Sequence, residues 1–124
     1  MRGGASESGD HIPVWTGLQP VAIRIEWASE EVRRVGGAEA IKLLHVNCEG
    51  CEWEMFADLE RFGLLATIPI IQMSLHWLPE DTPLGLMRQR YCTLRTHLAR
   101  THTPAYAVPF GWERWVLQDH PSTG

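Results

Sequence analysis

The sequence predicts an α/β domain of parallel strands with crossover helices, followed by an antiparallel C-terminal hairpin. Three observations predict it. Two nearly continuous apolar runs, residues 41–48 (IKLLHVNC) and 68–75 (IPIIQMSL), read as strands of a parallel sheet covered on both faces. Each run is followed by a segment whose apolar residues recur at helical spacing. Strands that alternate with helices build a parallel sheet with right-handed crossovers.

The elements follow in chain order. Residues 1–11 are small and polar and read as a disordered tail, and Pro13, Gly17 and Pro20 make residues 12–20 an irregular lead-in. Residues 21–27 (VAIRIEW) alternate apolar and polar, which predicts a strand with one face covered. Ser29 offers an N-cap to a short helix ending at Gly36 and Gly37, with Glu30 and Glu31 in its first turn. The run at 41–48 is the first central strand. In residues 52–62, Trp53, Phe56, Leu59 and Phe62 share a helical face, and Gly63 stands where a C-cap belongs. Glu49, Glu52 and Glu54 crowd the start of that helix, where its dipole favours negative charge. Pro69 opens the second central strand, where a missing N–H is tolerated. Residues 78–83 (LPEDTP) form a loop. Leu84, Met87, Tyr91, Leu94 and Leu98 then repeat in steps of three and four along the longest helix, residues 84–100. Residues 105–109 and 112–118 are strand-like and joined by Phe110-Gly111, which predicts the hairpin. Residues 119–124 are a tail. The domain therefore spans residues 21–118.

Composition excludes several classes of function. With 124 residues, 44% apolar and 21% charged, the chain has room for one core and one domain. A net charge of −4 is the wrong sign for a face built on clustered cations, so nucleic acid and anionic membrane surfaces are not expected partners. The longest apolar stretch, residues 63–73, is about half a membrane span. The first residues, MRGGASESGDH, lack the apolar centre of a secretion signal. The default is then a cytoplasmic chain whose three cysteines are reduced.

In an open α/β sheet, ligands bind beyond the carboxyl ends of the strands. Two such ends carry polar residues. If the strands are neighbours, Asn47, Glu49, His76 and Trp77 converge on one rim. Cys48 and Cys51 have CxxC spacing at a strand–helix junction, where a helix N-terminus lowers a thiol pKa. The flanking acids oppose that, and no aromatic-Cys-Gly-Pro-Cys pattern is present. A zinc site from His45, Cys48, Cys51 and a distant Cys92 or His is a further alternative, with poor geometry because His45 and Cys48 point to opposite faces of a strand. A packed turn holding two small side chains is the plainest alternative. No P-loop, GxSxG or HExxH occurs.

The segment LLHVNCEGCEWEMFADL resembles the strand–turn–helix motif of FkbM-type methyltransferases, in which a strand ends in a pattern like K-I-D-(I/V)-E-G-x-E. Glu49 and Gly50 match the E-G and Glu52 the following acid, while Asn47 replaces the usual Asp and His45 the usual Lys. QMSLHW, with His76 and Trp77, is similar to the end of the next strand in that family. The resemblance implies a partial Rossmann-like class I methyltransferase sheet and S-adenosylmethionine-dependent methyl transfer to a hydroxyl of a small molecule or glycan. It implies Glu49 or His76 as general base, Asn47 orienting the acceptor, Trp77, Glu52 and Trp53 on the substrate, and no metal. The glycine-rich GxGxG turn that holds the cofactor in such domains does not occur. The chain is therefore expected to be the C-terminal half of such a domain, inactive alone. A non-enzymatic interaction domain that associates through an exposed sheet edge is the alternative.

Overall fold

The computed structural model describes residues 5–6, 9–16, 19–78 and 83–119. Parts of the expected tail and lead-in (1–4, 7–8, 17–18), the loop at 79–82 and the C-terminal residues 120–124 lie outside the described residues. The rest is α/β, with seven strands, three α-helices and one 3-10 turn among the described residues.

The N-terminal region differs from the expectation. Strands β1 (Ala5–Ser6), β2 (Gly9–Thr16) and β3 (Gln19–Arg24) form an antiparallel three-stranded sheet of their own. β2 and β3 pair in continuous register from His11↔Arg24 to Thr16↔Gln19. Gly, Ser and Pro punctuate this region, which predicts an irregular tail and lead-in. The β-branched and aromatic residues between those breaks favour extended pairing instead. Residues 21–27 are consequently not the first strand of the main sheet, because β3 pairs only with β2 among the described residues.

Helix α1 (Ala28–Arg34) begins one residue before the expected cap, with Trp27 at the N-cap position. Ser29 lies inside the first turn, and its backbone N–H donates to Asp58 Oδ2 at 2.7 Å, tying α1 to the next helix. Gly36 and Gly37, at φ 112° and 92°, turn the chain into the 3-10 turn Ala38–Ala40.

The main sheet comprises β4 (Leu43–Val46), β5 (Ile70–Ser74), β6 (His102–Ala107) and β7 (Trp112–Leu117), in the order β4-β5-β7-β6. β4 and β5 are parallel, joined through helix α2 (Glu52–Arg61). Helix α3 (Leu84–Leu98) carries the chain from β5 to the hairpin. The hairpin is antiparallel as expected, and its second strand docks antiparallel on β5, leaving β6 at the edge.

The register sorts the sheet residues onto two faces. Val46, Ile71, Met73 and Trp115 point to one face and join Phe56, Leu59, Met87, Leu94 and Leu98 of the helices in one core. Leu43, Ile70 and Val116 form a row on the other face, and His45, Gln72, Arg114 and Tyr106 form the next. That second face is exposed at Leu43 (51%), Tyr106 (43%) and Trp112 (40%). The expectation that β4 and β5 are covered on both faces is thus not met. β4 is an edge strand among the described residues, and the helices cover one face only. Burial follows period two along β5, the pattern of a sheet covered on one side.

Candidate functional site

The carboxyl ends of β4 and β5 lie side by side, because the strands are parallel neighbours. Between β4 and α2 the chain turns through Glu49 and Gly50, at φ 55° and 121°. Two successive residues in the left-handed region make a tight turn, at some cost for the non-glycine Glu49. A Cβ at Gly50 would also crowd the Leu78 side chain, lying 3.0 Å from its Cδ2. Cys48 and Cys51 close this turn as a disulfide, with Cα atoms 5.4 Å apart. The expectation of reduced thiols is not met for this pair, and Cys92 is the free thiol.

Glu52, the first residue of α2, is fully buried. Its carboxylate accepts the backbone N–H of Cys48 at 3.3 Å and of Gly50 at 2.6 Å. Its Oε1 also contacts Nδ1 of His76, just beyond the end of β5. A buried carboxylate needs such partners, since desolvation without them is costly. The next residue, Trp53, donates its indole N–H to the carbonyl of His76 at 2.9 Å. Two consecutive residues of α2 therefore hold His76, one by the ring and one by the backbone. The His76 side chain is one-third exposed.

An aromatic cluster closes the rim. Trp77 meets the Phe110 ring edge-on at 4.9 Å, and Tyr91 and Trp53 lie 5.2 and 6.2 Å from the same ring. Phe110 sits in the β6–β7 turn at φ 56°. Beside it, Glu113 is buried and accepts the indole N–H of Trp115 at 3.1 Å. Burial, and then the nearby Glu113 carboxylate, push the Tyr91 hydroxyl up to about 12. The two groups are close without hydrogen-bonding geometry: Tyr91 OH and Glu113 Oε2 are buried without a partner among the described residues.

Of the expected site, Glu52, Trp53 and His76 come together with Trp77 next in the chain, and Asn47 and Glu49 are exposed residues of the turn that wraps Glu52. Glu52 and Trp53 were expected on substrate. Both are buried and hold His76, and Trp53 also lines a cavity between α2 and α3. Phe110, Tyr91 and Glu113 were not expected at the rim. Phe110-Gly111 signalled a turn, and Tyr91 a core stripe, but nothing local in the sequence brings them to His76. The zinc alternative is not formed. The two sulfurs are bonded to each other, and the His45 ring stacks on Trp112 at 5.5 Å on the exposed face. No cluster of three His, Cys, Asp or Glu residues fit to hold a metal occurs among the described residues.

No protein-family model, curated protein or solved structure matches the chain.

S-adenosylmethionine, the donor that the resemblance implies, would need a glycine-rich turn between a strand and a helix. Gly36 and Gly37 follow a helix instead, and Gly50 is a single glycine between β4 and α2. The described residues do not form that cradle. No helix of the described residues is long and apolar enough to cross a membrane.

Proposed function

We propose that the chain is the acceptor-side portion of a methyl-transferring α/β domain, acting on a hydroxyl of a small molecule or glycan. His76 is its base and Glu52 the residue that positions it. The observation that carries this reading is the double hold of α2 on His76 at the carboxyl ends of two parallel strands. A carboxylate accepts, so Nδ1 of His76 donates to it. That fixes the tautomer and leaves the Nε2 lone pair to take a proton, the role a carboxylate-oriented imidazole serves in many active sites. Trp77 and Phe110 provide an apolar wall beside the ring, suited to the face of a sugar or an aromatic acceptor. The NCEGCEWE and QMSLHW segments, which carry the resemblance, meet at this rim.

The test is methyl transfer by the 124-residue chain, and by any longer protein that contains it, using methyl-labelled S-adenosylmethionine and a panel of glycan, catechol and aliphatic hydroxyl acceptors. His76→Asn is expected to lower label transfer about 10²–10⁴-fold, with the far-ultraviolet circular dichroism unchanged. No transfer to any acceptor sinks the transferase reading. Loss in Glu49→Gln with His76→Asn silent moves the base to Glu49.

A second reading, a non-enzymatic domain that pairs through its sheet edge, is favoured by the position of β4 at that edge beside the exposed Leu43. Sedimentation of a monomer at all concentrations, with no partner recovered, would rule it out.

A further inference from the structure

The Cys48–Cys51 disulfide takes no part in the chemistry above, yet it encloses the turn on which that chemistry depends. Its ring spans Glu49 and Gly50, the two residues at positive φ. The backbone N–H of Gly50, inside this ring, and that of Cys48, attached at its edge, are donors to the buried Glu52 carboxylate, which contacts His76. Both cysteines are exposed, so a soluble thiol reaches the bond without unfolding the domain. The turn contains a non-glycine residue in the left-handed region, a conformation that persists only when its surroundings hold it. Much of that hold is covalent.

We propose that Cys48–Cys51 is a reversible redox modification site that sets the geometry of His76. The reductant is a thiol of the glutathione class or a protein dithiol. Its thiolate sulfur bonds to one cysteine sulfur, the S–S bond breaks, and the electron pair leaves on the other cysteine, which takes a proton. A second thiol sulfur then displaces the first cysteine, giving two cysteine thiols and one external disulfide, two electrons and two protons in all. With the ring open, the turn relaxes towards ordinary backbone angles. The Cys48 and Gly50 donors move off Glu52, and the carboxylate no longer holds His76 Nδ1 in one orientation. Oxidation by an external disulfide runs the same steps backwards. The oxidised chain is the ordered, site-competent form, and the reduced chain the relaxed one. The consequence for methyl transfer rests on the reading of His76 as base. The redox event and its effect on the imidazole do not.

The test uses the whole 124-residue chain labelled with nitrogen-15, without any methyl donor. Alkylation of the native, air-exposed protein is expected to modify Cys92 alone, and after tris(2-carboxyethyl)phosphine all three cysteines. Reduction is expected to speed hydrogen exchange at the Gly50 amide by about tenfold or more, while amides of β5 and β7 keep their rates. The imidazole nitrogen signals of His76 are expected to shift from one Nδ1-protonated tautomer to an averaged pair, and re-oxidation to restore them. Cys48→Ser with Cys51→Ser should show the reduced signature with and without reductant. Should that variant fail to fold, the wild-type chain before and after reduction carries the same comparison. Three reactive thiols before reduction overturn the proposal, as does a His76 spectrum unmoved by it. A redox-responsive His76 in a protein that transfers no methyl group would sink the transferase reading and leave the switch standing.

Discussion

Trp112 and Trp115 lie three positions apart on one strand, and the sheet sends them to opposite faces. Trp115 is 1% exposed, beneath α3, with its indole N–H on Glu113 and the Arg95 guanidinium over its ring. Trp112 is 40% exposed and touches the His45 ring. The same contrast runs across the sheet: Ile71 and Met73 are sealed under helices, while Leu43 and Tyr106 face outward. The core, the rim and the buried titratable groups are all on the helix side. The difference teaches that strand composition and strand coverage are separate facts. An apolar run tells how a segment pairs, whereas its coverage depends on where the helices pack.

The sharpest way to break this comparison is to truncate the two tryptophans. Trp115→Ala is expected to cost about 3–5 kcal/mol, as a large buried side chain leaves a cavity. It also strips Glu113 of its donor. Trp112→Ala is expected to cost under about 1 kcal/mol, the scale of an exposed aromatic pair. Urea denaturation of both variants measures the difference. Equal losses would mean that the exposed face is covered in solution.

His102 sharpens the covered side through pH. It is buried between β6 and the chain entering β5. Its Nε2–H donates to the Ile68 carbonyl at 2.7 Å, so Nδ1 is unprotonated and accepts the Thr101 hydroxyl, also at 2.7 Å. Burial, opposed by the bond to Ile68, lowers its pKa below the usual histidine value. The unfolded chain therefore binds a proton, below about pH 6.5, that the fold refuses. The stability contributed by neutral His102 is complete above that pH and is lost as the pH falls through it towards the lowered folded value. The wild-type melting temperature is expected to fall from pH 7.5 to 5.5, and the fall to shrink in His102→Gln, which keeps a donor for Ile68. An unchanged slope in the variant would show that another group sets the acid limit.

The sequence made some of this legible and hid the rest for definite reasons. The stripe Met87, Tyr91, Leu94, Leu98 is buried as its period predicts, because a helix writes its covered face into its own spacing. Leu84 and Phe62, at helix ends, fit the same stripes yet stay exposed, since the end of a helix runs past what it packs on. The hairpin is readable from its turn, and the parallel direction of β4 and β5 from the alternation of strands and helices, while their adjacency stands only as a condition. Coverage of β4 was not readable, because residues 41–48 carry apolar residues for both faces whatever lies on them. Glu52 holding His76 spans 24 positions and needs the parallel pair, the turn at Glu49-Gly50 and the start of α2 all in place. The polar strand ends pointed to the rim, while the assignment of roles within it depended on burial.

The smallest expected effect lies at Leu43, on the edge strand and the exposed face. Its neighbours in the row across the sheet are Ile70 and Val116, so Leu43→Thr places a β-branched residue suited to the strand there and removes half-exposed apolar surface. Full burial of a leucine contributes about 1.5–3 kcal/mol, and at 51% exposure only part of that is available. The variant is expected to lose under about 1 kcal/mol in urea denaturation, with a melting temperature independent of protein concentration in both forms. If a second copy covers this face, the wild-type melting temperature will rise with concentration and the variant's will not. The loss at Leu43 would then approach that of a core residue, and the contrast between the two faces would hold for the single chain alone.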